Sequence, residues 1–149
     1  MRRKSLLPPS YILATIVLIV ILHFFLPVKT IIFFPFTLVG VLPLSIGVWL
    51  NIWADQLFKK TGTTVKPYEK SSSLITDGPF RFSRHPMYLG MALILLGIAI
   101  FLGTLTPFIS VVVFVLLMDR TFIVVEEKMM EEMFGDAYRE YKKHVRRWL

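Results

Sequence analysis

Two groups of chemically capable side chains flank one long apolar region of this chain. Arg84, His85 and Tyr88 bring a guanidinium, an imidazole and a phenol to the start of an apolar segment. The pair Glu126 and Glu127 follows the end of the same region. Charged and titratable groups beside lipid are costly unless they are paired or functional. We therefore expect the two groups to meet at one membrane surface and to form a site there.

The spacing of the first group favours binding of a small polar ligand at a helix start. Pro86 suits the first helical position, so His85 and Tyr88 fall on neighbouring positions around the first turn. Free backbone amides at such a start also favour an anionic group. The alternative is an interfacial belt, because arginine, histidine and tyrosine side chains also anchor helix ends among headgroups. The residues alone leave both interpretations open.

A second constellation lies on the last apolar helix and its continuation. Arg120 and Glu127 are seven residues apart, which places them on nearly the same helical face, with Glu126 one step round. The residues between them are mostly apolar, so the pair borders a nonpolar environment. An ordinary intrahelical charge network at a helix exit is the competing interpretation. Burial of either group would favour a functional role.

The composition identifies a membrane protein. Of 149 residues, 55% are hydrophobic, the mean hydropathy is +0.65, and the apolar residues come in runs. The chain has no cysteine, which excludes disulfides, thiolate metal sites and cysteine nucleophiles. The three histidines, His23, His85 and His144, are too scattered to suggest a ligand set, so we expect no metal.

Four apolar stretches predict an all-α integral membrane bundle with about four transmembrane helices in a single domain, 1–149. The stretches cover residues 11–26, 31–53, 87–102 and 105–118. Gly103 and Thr104 alone separate the last two, which predicts a short helical hairpin. The helical pattern continues beyond Met118, ends at Gly135, and is followed by a helical carboxyl-terminal tail. Residues 74–82, which precede the first polar group, are expected to be ordered.

Small residues in the second stretch predict an unusual helix contact. Gly40, Pro43 and Gly47 lie close together in the sequence. Glycines allow helices to approach closely, and an interior proline removes a backbone hydrogen bond. We expect either a kink or a close helix contact there, and helix packing is the simpler role for these residues.

The distribution of charge predicts the orientation. The net charge is +7, and lysines and arginines concentrate before the first stretch, between the second and third, and in the tail. The alternate loops carry only Lys29 and an uncharged turn, so both termini and the polar groups should be cytoplasmic. The basic residues suit anionic headgroups of membrane lipids, and nucleic-acid binding is not favoured. The basic amino terminus with its apolar stretch predicts a retained signal anchor.

The ordered set of motifs resembles a known family. The run 74–90 contains Asp77-Gly78-Pro79 and Arg84-His85-Pro86-Met87-Tyr88-Leu89-Gly90, and it is followed by Glu126-Glu127 and by the aromatic run 134–141. Together these segments, within residues 74–147, resemble the isoprenylcysteine carboxyl methyltransferase and phospholipid methyltransferase family of membrane enzymes. The amino-terminal half carries no comparable signature.

The resemblance implies an S-adenosylmethionine site at the cytoplasmic face, built from residues 74–149. The residues that it implies for cofactor binding are Arg84, His85, Pro86, Tyr88, Leu89, Gly90, Glu126, Glu127 and Tyr138. Among these, the two glutamates would accept the hydroxyl or ammonium donors of the cofactor. Arg120 and Glu127 are the expected catalytic residues, with Arg120 orienting the acceptor.

Methyl transfer from a sulfonium is an in-line displacement that needs alignment and charge placement and no covalent enzyme intermediate. Aromatic faces such as those of Tyr88 or Tyr138 can stabilise the sulfonium. A carboxylate acceptor would be held by Arg120 or Arg84, whereas for an amine or thiol acceptor Glu127 or His85 could instead receive a proton. The expected acceptor is a lipophilic small molecule or lipid that enters from the bilayer.

Two other classes remain open at this point. A membrane reductase of the sterol-reductase type would use NADPH and has a related tail, and a noncatalytic membrane scaffold would need no cofactor. The number of spans also leaves a dimer possible.

Overall fold

The computed structural model describes residues 7–62 and 73–149, and within them the regular elements are almost all helical. Helix α1 covers Pro8–Phe25, α2 covers Val41–Thr61, α3 covers Pro86–Leu102, α4 covers Leu105–Met118 and α5 covers Val124–His144. Short 3₁₀ helices cover Phe36–Gly40 and Gly78–Arg81, and a π turn covers Asp119–Ile123. The prediction of an all-α bundle is confirmed.

The helices have the length and composition of membrane spans. Three continuous helical segments of the described residues, Pro8–Phe25, Phe36–Thr61 and Leu105–His144, are long and apolar enough to cross a bilayer, and Pro86–Leu102 is a shorter apolar helix. Large apolar side chains on α1, α2 and α4 face outward, Phe24 and Phe25 among them. An outer surface of this kind needs lipid around it, so the chain is an integral membrane protein.

The second predicted stretch, 31–53, has different bounds in the structure. Regular α-helix begins only at Val41 and continues to Thr61, where Gly62 adopts the left-handed conformation that ends helices. Residues 31–35 are held instead against the hairpin turn, since the amides of Ile31 and Ile32 donate to the carbonyl of Gly103. An apolar run cannot by its composition reveal that its first residues bond to a distant turn.

The end of the bundle that carries this turn is closed by polar contacts. The Leu105 amide donates to the Lys29 carbonyl at 2.9 Å. His23 Nδ1 lies 2.9 Å from Thr104 Oγ1, and Thr106 Oγ1 donates to the Leu26 carbonyl at 2.8 Å. These contacts provide hydrogen-bond partners for groups at the end of α1. They also fix the α3–α4 hairpin that the Gly103-Thr104 turn predicted.

Helices α2 and α3 approach each other through glycines. A Cβ atom on Gly97 would lie 2.6 Å from the Gly40 carbonyl oxygen and 2.7 Å from the Leu44 amide nitrogen. Gly47 and Gly90 form a second contact of the same kind one helical repeat away. The expected close helix contact is therefore present. Pro43 causes no break in α2, because it lies in the first turn, directly after the 3₁₀ helix Phe36–Gly40, where proline is tolerated.

The buried core joins α1, α3 and α4 and extends to the polar groups. Leu95 and Met118 are fully buried, and Ile19 of α1 packs with them. Towards the start of α3, the edge of the Tyr11 ring meets the Phe122 ring, with centroids 5.4 Å apart. This core fixes the start of α3 relative to the end of α4, and those two ends carry the two polar groups.

Gly135 interrupts α5, as the sequence predicted. Its φ of 51° and ψ of −121° are not helical, so the chain changes direction there before a final helical segment. On that segment Tyr141 donates a hydrogen bond of 2.6 Å to the Phe80 carbonyl, and Phe58 of α2 packs edge-on against the Phe80 ring. The segment just before α3 is thus ordered by contacts from both sides, as expected, whereas residues 63–72 lie outside the described residues.

Candidate active site

The two polar groups meet at the imidazole of His85, which belongs to the first group. His85 Nδ1 lies 3.5 Å from Glu126 Oε2, and His85 Nε2 lies 3.5 Å from Glu127 Oε1. The imidazole precedes α3, while both carboxylates begin α5, so residues more than forty positions apart surround one ring. The expectation that they meet at one end of the bundle is confirmed by this geometry.

Glu127 is the most heavily bonded group of the site. Its side chain is 7% exposed, and its Oε1 accepts from Arg84 Nη2 at 2.6 Å and from Arg84 Nε at 3.0 Å. Arg147 Nη2 donates to Oε2 at 2.6 Å, and Arg147 Nε donates to Oε1 at 3.2 Å. A carboxylate held by two guanidinium groups has a fixed orientation.

Glu126 is less enclosed. Its Oε1 accepts a 2.6 Å hydrogen bond from the Tyr88 hydroxyl, and its side chain is 23% exposed. The Tyr88 ring stacks against Phe122 with centroids 6.3 Å apart and lies 5.9 Å from the His85 ring. Of the two glutamates, Glu126 therefore retains more freedom to bind a further partner.

The surroundings shift the protonation of three of these groups, which all lie beyond the apolar segments. Burial lowers the pKa of His85, but its contacts with Glu126 and Glu127 outweigh burial and raise it overall. Burial raises the pKa of Glu127, but contact with His85 and the bonds from Arg147 and Arg84 hold it far below its usual range. Burial, followed by the charge of Glu127, raises the pKa of Tyr138, which keeps its hydroxyl proton. The cluster thus favours imidazolium between carboxylates.

One polar atom in the cluster lacks a satisfactory partner. His85 Nε2 is buried and makes no hydrogen bond of acceptable geometry with the described residues. A buried unsatisfied polar atom is uncommon in proteins and often marks a ligand position. A groove of about 360 Å³ adjoins the cluster. Its walls include Glu127 near the start of α5, and Lys142 and Arg147 near the carboxyl end of the chain.

The family model for phospholipid methyltransferase matches residues 36–137, which is more than half of the chain. The chain belongs to this family. The predictions of a family member and of a membrane methyltransferase are confirmed at the level of the family. The match starts at the 3₁₀ helix before α2 and ends in α5, so it includes His85, Glu126 and Glu127 and leaves out α1 and the tail.

Two relatives match parts of this chain. Over 79 residues the chain is 37% identical to Protein-S-isoprenylcysteine O-methyltransferase of Schizosaccharomyces pombe, which covers 51% of this chain and 32% of that protein. Over 63 residues it is 44% identical to an uncharacterised protein of Haemophilus influenzae, covering 42% of this chain and all of that protein. This chain therefore spans about a third of the length of the yeast enzyme.

The same fold occurs in a solved membrane enzyme. The eukaryotic intramembrane Ras methyltransferase ICMT, isoprenylcysteine carboxyl methyltransferase, superposes with a TM-score of 0.65 over 95% of this chain and 51% of that chain. The sequence identity is 21%, so this likeness concerns the fold. It confirms the helical membrane architecture that the apolar stretches predicted.

Several residues that the family resemblance implied lie in or beside the cluster. Arg84, His85, Tyr88, Glu126 and Glu127 are joined by the contacts above. Tyr138 is 2% exposed, and Lys142 Nζ lies 5.8 Å from the centre of its ring. Pro86 is buried at the first position of α3. The backbone amide of Leu89 is already bonded to the His85 carbonyl at 3.1 Å.

Gly90 packs against the neighbouring helix α2, and its part in the cofactor site stays a prediction. A Cβ on Gly90 would meet the Asn51 side chain and, at 2.8 Å, the Gly47 carbonyl oxygen, so this residue faces α2. Its position is explained by helix packing, because only a glycine lets the two backbones approach so closely. Sequence alone could not separate this role from a ligand contact, since Gly90 directly follows the polar group.

The predicted shared face of Arg120 and Glu127 is wrong. Arg120 is exposed and forms no ion pair with any described residue, whereas Asp119 turns inward to Arg147 at 3.2 Å. The cause is the π turn Asp119–Ile123, whose extra residue per turn shifts the register of everything after it. Arg120 as the group that orients the acceptor stays a prediction.

The sequence predicted a site that includes the tail, but it did not single out Arg147. Arg147 contacts Glu127, and Ser83 Oγ donates to the Arg147 carbonyl at 3.1 Å. In the sequence, Arg147 was one of several basic residues near the carboxyl end and served only to predict orientation. The available signal was indirect: a buried glutamate beside an apolar helix needs cationic partners, and more than one arginine could supply them.

Proposed function

We propose that this protein transfers a methyl group from S-adenosylmethionine to a lipophilic small molecule or lipid at the cytoplasmic membrane face. The observation that carries the proposal is the position of His85, within 3.5 Å of both Glu126 and Glu127. Those residues are the family-like motifs, and they lie together although more than forty positions separate His85 from the glutamates in the sequence.

The side chains of the cluster suit the groups that the cofactor carries. Glu126 is the carboxylate best placed to accept its hydroxyl or ammonium donors, because it has the fewer protein partners. The buried Nε2 of His85, which carries a proton in the imidazolium form, offers an unsatisfied donor at the same place. The rings of Tyr88 and Tyr138 provide aromatic faces for a cation. Pro86 and Leu89 are proposed to contribute shape at the start of α3.

S-adenosylmethionine would supply an activated methyl group on a sulfonium, so the protein has no need of a nucleophile. The residues instead align the reactants and compensate charge. Glu127, fixed between Arg84 and Arg147, keeps the His85 ring oriented. Glu126 is the more exposed of the two carboxylates and is proposed to receive a proton from an amine or thiol acceptor.

The proposed acceptor is lipophilic because the helices that carry the site present apolar outer faces to lipid. Arg120 is exposed at the π turn, just beyond the apolar part of α4, and is proposed to meet the polar end of an acceptor that arrives from the bilayer. The lysines and arginines near this end of the bundle support a cytoplasmic location. The family assignment favours methyl transfer over an NADPH-dependent reductase.

A labelled-methyl experiment tests the proposal. Purified protein is incubated in lipid vesicles with isotope-labelled S-adenosylmethionine and membrane lipid extracts, and products are separated by chromatography and mass spectrometry. We expect label in the lipid fraction with wild-type protein and with the surface variant Glu140→Ala, whose wild-type side chain is 59% exposed, and strongly reduced label with His85→Ala. Absence of label from every lipid fraction, with protein that is folded by size-exclusion chromatography, would contradict the proposal.

A further inference from the structure

The carboxyl-terminal tail is bonded along its backbone to the segment that carries His85. The Arg84 amide donates to the Arg146 carbonyl at 3.0 Å, and Arg84 Nη1 donates to the Val145 carbonyl at 2.7 Å. Ser83 Oγ donates to the Arg147 carbonyl at 3.1 Å, and the same Ser83 oxygen accepts from the His85 amide at 3.2 Å. The tail thus lies against the start of α3.

The Arg147 side chain spans two further elements. Its Nη2 and Nε donate to the two oxygens of Glu127 at 2.6 and 3.2 Å, while its Nη1 lies 3.2 Å from Asp119 Oδ1 in the π turn. Trp148 Nε1 donates to the same Asp119 oxygen at 3.3 Å. A two-point contact through a planar guanidinium fixes the angle of a carboxylate, which a lysine cannot do.

This geometry separates the roles of the two arginines on Glu127. Arg84 is buried, with a side chain that is 9% exposed, and it keeps Glu127 paired even without the tail. The Arg147 side chain is 35% exposed. It binds the second carboxylate oxygen of Glu127 and also contacts Asp119. Loss of Arg147 therefore leaves the buried pair intact and frees the carboxylate to rotate about its contact with Arg84.

We propose that Arg147 is a positioning residue that acts through Glu127: by holding both carboxylate oxygens, it sets the position of Glu127 against His85 and so shapes the cofactor site. Arg147 lies outside the residues that the family model matches, so this assignment adds a tail residue to the site. The inference rests on the proposed function, because its effect is read as cofactor affinity.

The test compares Arg147→Gln and Arg147→Lys with the matched control Arg146→Gln. Arg146 directly precedes Arg147 in the chain and is exposed. Binding of S-adenosylhomocysteine is measured by calorimetry in detergent. We expect Arg147→Gln to weaken binding by about tenfold, as for loss of a charge-assisted hydrogen bond. Arg147→Lys should recover only part of the loss, and Arg146→Gln should bind as wild type.

A double variant separates positioning from direct contact. If Arg147 acts through Glu127, then adding Arg147→Gln to Glu127→Gln should weaken binding by less than twofold relative to Glu127→Gln alone. Additive losses, or wild-type affinity in Arg147→Gln and Arg147→Lys, would overturn the inference while leaving the proposed function in place. Failure of the wild-type protein to bind S-adenosylhomocysteine would instead count against the proposed function.

Discussion

Replacing Glu127 with alanine is expected to lower the free energy of unfolding in detergent by about 3–5 kcal/mol, because it leaves buried positive charge without its partner. Glu127 and Arg84 side chains are only 7% and 9% exposed, and Arg147 loses its closest contact in the same change. The measurement is a denaturant or thermal unfolding curve followed by circular dichroism, together with binding of S-adenosylhomocysteine, which should fall below detection.

Two further variants identify the cause of this loss. Glu127→Gln keeps the shape and removes the charge, so it should recover only a small part of the stability if electrostatics dominates. Glu132→Ala is the matched control, since the Glu132 side chain is 66% exposed and its Oε1 lies 4.0 Å from Lys128 Nζ. The free energy of unfolding of this variant should differ from wild type by less than about 0.5 kcal/mol. A Glu127→Ala protein as stable as the Glu132→Ala protein would show that the carboxylate is not the centre of this network.

Gly97→Leu is expected to prevent formation of the α2–α3 contact and with it the folded bundle. Even a Cβ at this position would lie 2.6 Å from the Gly40 carbonyl oxygen and 2.7 Å from the Leu44 amide nitrogen. Backbone atoms cannot rotate away as a flexible side chain can. The loss in free energy of unfolding should therefore exceed the value of about 1–3 kcal/mol that is typical of an overfilled core. Because His85 directly precedes α3, ligand binding should disappear as well.

The control for this substitution adds the same bulk on the outer face of the neighbouring helix. Ser45 of α2 is exposed, so Ser45→Leu should elute from size-exclusion chromatography and melt as the wild-type protein does. Gly97→Ala should lie between the two, since it adds one carbon to the tight contact. A Gly97→Leu protein that elutes and melts like Ser45→Leu would contradict the close packing of these helices.

The hairpin and the convergence of the site were predictable because local chemistry determines them. Gly103 adopts a φ of 72°, which few residues other than glycine accept. The end of α3 could therefore be predicted from the position of this glycine. The predicted ranges 87–102 and 105–118 differ from α3 and α4 by no more than one residue at either end. With a hairpin of this length, the residues before its first helix and after its second must lie at the same end of the bundle.

The parts that the sequence did not predict depend on contacts between distant residues. The π turn at Asp119–Ile123 turned Arg120 outward and Asp119 inward, although the spacing to Glu127 suggested a regular helix. Periodicity assumes a constant number of residues per turn, so one π turn defeats it. The role of Arg147 was hidden for a similar reason, because its partners precede it by many residues and only the fold brings them together.

Calorimetric binding of S-adenosylhomocysteine to the purified, folded protein and to His85→Ala tests the proposed cofactor site most directly. We expect binding to the wild-type protein and an affinity lower by about tenfold or more in the variant, since removing the imidazole removes the buried, unsatisfied Nε2 that is proposed to bond to the ligand, and a charged hydrogen bond is worth about 1.5–3 kcal/mol. No binding to the wild-type protein, or equal affinity in both proteins, would contradict a cofactor site between Glu126 and Glu127.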